Sequence, residues 1–130
     1  MVGYRTKKYE NYGKASAILD DILNYIPSRI TAILIMIISK NKNIFAFYKG
    51  GVKHDSPNAG HPITAMALYL GVKLGGDTSY FGKIKPKAYF GTGRKNILAS
   101  DLVNALSLKA KIDLIILVSL ALFYVIIISL

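Results

Sequence analysis

Residues Leu114 to Leu130 read LIILVSLALFYVIIISL, an uncharged run in which only Ser119, Tyr124 and Ser129 are polar. A helix that is apolar on every face has no side to turn toward water. At about 1.5 Å per residue, the run approaches the thickness of a bilayer's hydrocarbon core, about 30 Å. It therefore reads as a transmembrane helix, with Asp113 at its entrance.

Composition agrees with a segregated chain. The 130 residues suit one domain, yet 52% are hydrophobic and the net charge is +10. A mean hydropathy of +0.37 beside that charge requires apolar and basic residues to lie in different stretches. There are no cysteines, which excludes disulfides and thiolate metal sites. Arg5, Lys7 and Lys8 are followed by polar residues, so no secretory signal is legible.

Working back toward the N-terminus, Ile30 to Ser39 is a second apolar stretch, ITAILIMIIS. Ten residues rise only about 15 Å as a helix, so it is expected to be short, re-entrant or partly buried, unless the helix starts before Pro27 and crosses tilted. Arg29 then either snorkels to a headgroup or faces a buried anion. Before Pro27, Ala15, Ile18, Leu19, Ile22, Leu23 and Ile26 fall on one helical face. Asp20 and Asp21 lie off that face, as a solvated side or as ligands for Mg²⁺. Met1 to Tyr12 mixes Tyr4, Tyr9 and Tyr12 with Arg5, Lys7 and Lys8, which suits a membrane interface or a partner contact.

Between Lys40 and Lys111 lie twelve Lys/Arg and three Asp. The positive-inside rule places this loop in the cytoplasm. Within it, Ile44 to Tyr48 reads equally as strand, helical turn or interfacial anchor. His54-Asp55-Ser56-Pro57-Asn58-Ala59-Gly60-His61-Pro62 is rich in turn formers and leads into the helical pattern Ile63 to Leu70. Pro57 restrains one backbone angle, Asn58 and Gly60 tolerate left-handed conformations, and Pro62 suits a first helical position. The stretch is either a plain loop leading into a helix or a working loop that seats a phosphate or carboxylate on helix amides. Gly71 should stop the helix.

An irregular stretch is expected up to Asn96, with Lys83, Lys85, Lys87, Arg94 and Lys95 beside Tyr80, Phe81, Tyr89 and Phe90. Such interleaving serves nucleic acid, a phosphorylated metabolite or an anionic membrane face. No nucleic-acid fold signature accompanies it, so nucleic acid is not an expected partner. Gly91-Thr92-Gly93-Arg94-Lys95 offers an anion-cradling nest without Walker A spacing. Ser100 is a candidate cap for a helix continuing through Leu102, Ala105, Leu106 and Lys109.

The expected fold is thus an all-α integral membrane protein. An amphipathic helical region covers 1–29, a short apolar membrane segment 30–39, a basic cytoplasmic loop with short helices 40–111, and a transmembrane helix 112–130. A multi-pass cell-membrane location follows.

The strings LDDILNYIPSRITA at Leu19 to Ala32, SPNAGHP at Ser56 to Pro62, and GVKLGG with YFG at Gly71 to Gly82 resemble the C-terminal half of the CobD/CbiB family, the adenosylcobinamide-phosphate synthases of cobalamin biosynthesis. MVGYR at the start and AYFGTG at Ala88 to Gly93 are similar to it too. The resemblance implies an amide-forming ligase that joins aminopropanol, or its phosphate, to a carboxylate of adenosylcobyric acid. It also implies ATP and Mg²⁺, with the corrinoid as substrate. Asp20, Asp21 and Asp55 are candidates for Mg²⁺, and Lys53, Arg94 and Lys95 for phosphate charge. Ser56, Asn58 and Gly60 are candidates for binding a phosphoryl or carboxylate oxygen. His54 or His61 is the candidate acceptor of the amine proton, with Asp55 beside His54 in the catalytic set.

The chain departs from the family pattern at His61, Ile63 and Thr92, where many members carry Trp, an acidic residue and Asp. Family members are about twice this length, so the chain is expected to be a C-terminal fragment, a separately encoded half or a mis-started reading frame, inactive without the N-terminal half, and that half or a homo-oligomer is an expected partner. Two other readings stand beside this one. They are a non-catalytic membrane sensor or scaffold related to the family, and a membrane-tethered binder of anionic ligands.

Overall fold

A computed structural model describes residues 10–80 and 82–130, apart from the side chains of Glu10, Tyr12 and Tyr80. The expected interfacial role of Tyr4, Arg5, Lys7, Lys8 and Tyr9, and the part assigned to Phe81, lie outside the described residues. The chain is mostly helical. α1 (Glu10–Ile38), α2 (Ala46–Gly51) and α3 (Gly60–Leu70) precede four short strands, β1 (Leu74–Gly75), β2 (Thr78–Tyr80), β3 (Lys83–Lys85) and β4 (Tyr89–Phe90), and α4 (Ala99–Ser129) follows.

α1 corrects the expected division at Pro27. It is one helix of 29 residues with Pro27 inside it, about 43 Å long. Proline removes one backbone donor, a loss that apolar flanks and tertiary packing outweigh here. Downstream of it, Ala32, Ile35 and Met36 are buried, and they form the core with Phe47, Ala65, Leu108 and Ile112. The apolar stretch 30–39 is therefore the second half of a long helix and not a separate segment. Two helices, over Gly13–Ile38 and Ala99–Ser129, are long and apolar enough to cross a membrane. By length and composition they mark a membrane protein.

α2 decides the ambiguous stretch before the loop in favour of a helical turn, and α3 packs against both α1 and α2. α3 begins at Gly60, so Pro62 is its third residue and not its first. Its first donors still lack intrahelical partners, so proline is tolerated there. The helix stops where the glycine predicts. Gly71 is left-handed (φ 63°), and the Gly71 and Val72 amides donate to the carbonyls of Leu68 and Ala67 at 3.4 and 3.1 Å, the paired bonds of a Schellman end.

The stretch after α3 is more ordered than expected. β1 pairs antiparallel with β4, with Leu74 opposite Phe90, and β2 pairs with β3 inside that hairpin, with Ser79 opposite Ile84. The fold is accordingly mostly α, with two small nested hairpins. α4 starts at Ala99, thirteen residues before the expected boundary at 112. Its cap is also different. The Leu98 amide donates to Asp101 Oδ2 at 2.7 Å, so Asp101 satisfies the helix start in place of Ser100.

Candidate functional site

The loop from His54 to Ala59 lies where α1, α3 and the hairpins meet, and Asn58 fastens it. Asn58 is 6% exposed. Its Nδ2 donates to the Asp21 carbonyl at 2.7 Å and, less closely, to Asp21 Oδ1 at 3.4 Å. Its Oδ1 accepts from Arg29 Nη1 at 2.7 Å, while Arg29 Nη2 donates to the Pro57 carbonyl at 3.0 Å. Arg29 is steadied in turn by the Tyr25 carbonyl at 3.0 Å and by the Tyr25 ring, whose centroid lies 3.6 Å from its guanidinium carbon. A charged donor to a buried amide oxygen is among the stronger hydrogen bonds a protein makes. Asn58 is therefore a clamp between loop and helix, with its side chain already committed.

Ser56 continues the clamp. Its Oγ accepts from the Asn58 and Ala59 amides at 3.3 and 3.4 Å. Two of the amides expected to seat an anion are thus satisfied within the loop. Gly60 is buried, and a Cβ there would stand 2.0 Å from the Gly51 carbonyl oxygen. Its role is to let α2 and α3 approach.

Three recesses surround this loop. The first, about 560 Å³, is lined by Lys53, His54, Asp55, Leu74 to Thr78, Lys85 to Ala88 and Phe90, with Ile63. It brings together three of the predicted site residues and adds Asp77, Lys85 and Lys87. Asp55 pairs with Lys85 at 3.8 Å, both side chains largely exposed. His54 Nδ1 accepts from the Ser56 amide at 2.9 Å, which leaves Nε2 as the protonated nitrogen of its neutral ring. Phe90 supports that ring, with centroids 5.5 Å apart.

The second recess, about 380 Å³, is lined by Asp20, Asn24, Pro27, Ser28, Thr31, Ser56, Asn58, Ala59 and Pro62. The third, about 460 Å³, is apolar except for Asp21 and is shaped by Ile18, Ile22, Tyr25, Ile26 and Pro57. Asp20 and Asp21 thus line different recesses. Among the described residues, no three His, Cys, Asp or Glu gather in a metal-holding group.

Other predicted site residues stand apart. His61 is 1% exposed, stacked on Tyr48 at 5.0 Å and edge-on to Phe47 at 5.7 Å. It lines none of the three recesses. Burial, helped by the charge of Arg29, holds its imidazole below the ordinary histidine value. Arg94 donates to both carboxylate oxygens of Asp101, at 2.8 and 2.5 Å. That bond raises its pKa further, so its charge is matched within the fold. Lys95 lies over the Tyr89 ring at 5.0 Å. One amide of the glycine stretch is engaged within the fold as well. The Arg94 amide donates to the Gly71 carbonyl, and Gly93 (φ 124°) is needed because a Cβ would lie 2.1 Å from that oxygen.

The parts define a membrane protein with two long apolar helices and a clamped polar loop between recesses of different charge. The family described as CobD/Cbib protein matches residues 1–109, a span that contains all three recesses. This chain belongs to the CobD/CbiB family. A cobalamin biosynthesis protein CobD of Clostridium perfringens is 48% identical over 107 residues, covering 78% of this chain and 34% of that protein. One from Halalkalibacterium halodurans is 36% identical over 115 residues, covering 83% and 36%. A probable CobD of Methanococcus aeolicus is 48% identical over 80 residues, covering 57% and 26%. The matched part of the chain thus spans about a quarter to a third of the length of these relatives. No solved structure matches it.

Proposed function

We propose that this chain acts in cobalamin biosynthesis and carries part of the site for amide ligation of aminopropanol, or its phosphate, to adenosylcobyric acid. The observation that supports this most directly is the clamp. Asn58 lies in one of the strings that carry the family resemblance, Asp21 and Arg29 in another, and Asn58 is bonded to each of them. Residues far apart in the chain thus build one place.

Within this reading, the first recess takes the phosphate-bearing partner. Lys53 and Lys85 supply positive charge at its wall, and His54 supplies an N–H donor. ATP provides the phosphoryl group that activates the acid. Asp55 and Asp77 share that recess and suit Mg²⁺ held jointly with phosphate oxygens. Asp20 and Asp21 line the other two recesses. The segment between α1 and α4 is cytoplasmic by its excess of Lys and Arg, where nucleotide and Mg²⁺ are available.

The test is complementation of a strain lacking the synthase, using the chain with and without the DNA upstream of its Met1 codon. Rescue in either form that is lost with Asp55→Asn and Lys53→Ala supports the reading. Failure of both forms, with membrane expression verified, counts against it and favours a non-catalytic relative.

A further inference from the structure

Two membrane boundaries converge on α2. One apolar span, Gly13–Ile38, ends just before it, and the other, Ala99–Ser129, is α4. Phe47 of α2 is 1% exposed and shares the core with Ile35 and Met36, which lie within about 5 Å of the end of α1 along its axis. The same core holds Leu108 and Ile112, and the charges of α4 end at Asp113, directly after Ile112. α2 therefore stands at the level where both long helices pass from the basic segment into their apolar runs.

The outer face of α2 fits that level. At about 100° per residue, Phe45, Tyr48 and Val52 fall within about 60° of one another, turned away from Phe47. They are 66%, 50% and 62% exposed, and Val52 keeps helical backbone angles past the end of α2. Lys49 borders this stripe, Lys40 and Lys42 precede it, and all three are exposed. None of the three forms an ion pair among the described residues, and the chain holds no acidic residue from Ile22 to His54. The backbone is provided for as well. The Asn43 and Phe45 amides donate to the side-chain oxygens of Asn41 and Asn43 at 3.0 and 3.1 Å. The Ala46 and Tyr48 amides donate to the carbonyls of Asn43 and Phe45 at 3.1 and 3.0 Å. An apolar stripe beside lysines, with its amides already paired, suits the interfacial zone of a bilayer, where tyrosine rings sit at headgroup depth and lysines reach phosphates.

We propose that this face of α2 lies in the membrane interface at the exit of α1 and binds anionic phospholipid. Phe45, Tyr48 and Val52 enter the boundary between headgroups and acyl chains, and Lys40, Lys42 and Lys49 meet headgroup phosphates. This rests on both long helices crossing the membrane and stands apart from the ligation reading. Val52 is followed directly by Lys53 and the loop from His54, so lipid contact sets the depth at which the clamped loop is held.

The chain has no cysteine, so a single bimane label can be placed at Val52→Cys. The labelled chain goes into nanodiscs of phosphatidylcholine and phosphatidylglycerol in equal parts, with one lipid or the other brominated on its acyl chains. Quenching by both is expected, with the brominated phosphatidylglycerol stronger by about twofold or more. A label at Phe45→Cys should repeat the result from the other end of the stripe, and one at Leu122→Cys, within the span of α4, should be quenched equally by the two lipids. Lys42→Gln with Lys49→Gln should bring the ratio at position 52 to one, and high salt should shrink it. Lys14→Gln, at the other end of α1, should leave it unchanged. No quenching at positions 45 and 52 would mean that water or protein covers this face, and would overturn the proposal. Equal quenching by the two lipids, or a preference that survives loss of both lysines, would overturn it too. The ratio measured with every lysine in place decides the matter even if the lysine variants fail to fold.

Discussion

α1 and α4 are both long enough and apolar enough to cross a membrane, yet they treat their polar residues in opposite ways. Beyond Asp113, α4 folds its serines back on itself. Ser119 and Ser129 donate to the carbonyls of Ile115 and Val125 at 2.6 and 2.8 Å. Its large side chains from Leu114 onward are 40% exposed or more. α1 instead turns Asp21 and Arg29 to another part of the chain, where Asn58 joins them, and lines a recess with Asp20, Asn24, Ser28 and Thr31. The difference teaches that apolarity alone does not separate an anchor from a working wall. What separates them is that Asp21 and Arg29 of α1 also reach partners beyond their own helix, whereas Ser119 and Ser129 of α4 bond only within theirs.

That contrast is most exposed at Asn58. Asn58→Leu strands a guanidinium and a carbonyl at once, and we expect a loss on the order of 3–4 kcal/mol in chemical denaturation in detergent. A loss under 1 kcal/mol would mean that α1 is not braced by the loop. α4 should show a gradient along its length. Leu108→Ala opens a cavity in the core and should cost about 3 kcal/mol, whereas Leu122→Ala, at a side chain 60% exposed, should cost far less. Equal costs would show that the far half of α4 is packed against a partner.

Smaller effects sharpen the account of α1's neighbours. A Cβ at Gly51 would stand 2.0 Å from His61 Nδ1, so Gly51→Ala should destabilise by about 1–3 kcal/mol through overpacking. The same ring sets a pH dependence. His61 titrates below its ordinary value of 6.5 in the folded chain, so the unfolded chain binds more protons as pH falls through that value. Stability should therefore be complete above about pH 6.5 and decline below it, with a slope of at most about 1.4 kcal/mol per pH unit. Melting temperatures between pH 7.5 and 5 would measure this, and His61→Phe should flatten the profile. The smallest effect belongs to the anchor. Ser119→Ala should change stability by no more than about 0.5 kcal/mol.

Local chemistry made much of the architecture legible. The uncharged run from Leu114, the turn formers from His54 to Pro62 and the stop at Gly71 each depend on a few neighbouring residues. The residues that gather around the first recess, Lys53, His54 and Asp55, were legible too, because they are adjacent in the chain. Arg94 shows where local reading runs out. Its spacing suggests an anion site, but the helix that begins at Ala99 brings Asp101 back to it, and a buried carboxylate claims the charge first. Asp20 and Asp21 look like a pair because they are consecutive. About 100° of helical rotation sends them to different recesses, and only the position of the loop makes those recesses distinct.

The sequence by itself determined that this chain joins apolar helices to a basic, turn-rich segment, since composition and periodicity act over one element at a time. It also determined the family, because the matching strings survive reading in order. Only the tertiary structure decided that α1 continues through Pro27, that Asn58 is a clamp and His61 a packed ring, and that the acidic and basic recesses lie on one loop. Those outcomes depend on partners as many as 37 positions apart. At that range, burial and hydrogen bonding across elements outweigh the local preference of any single residue.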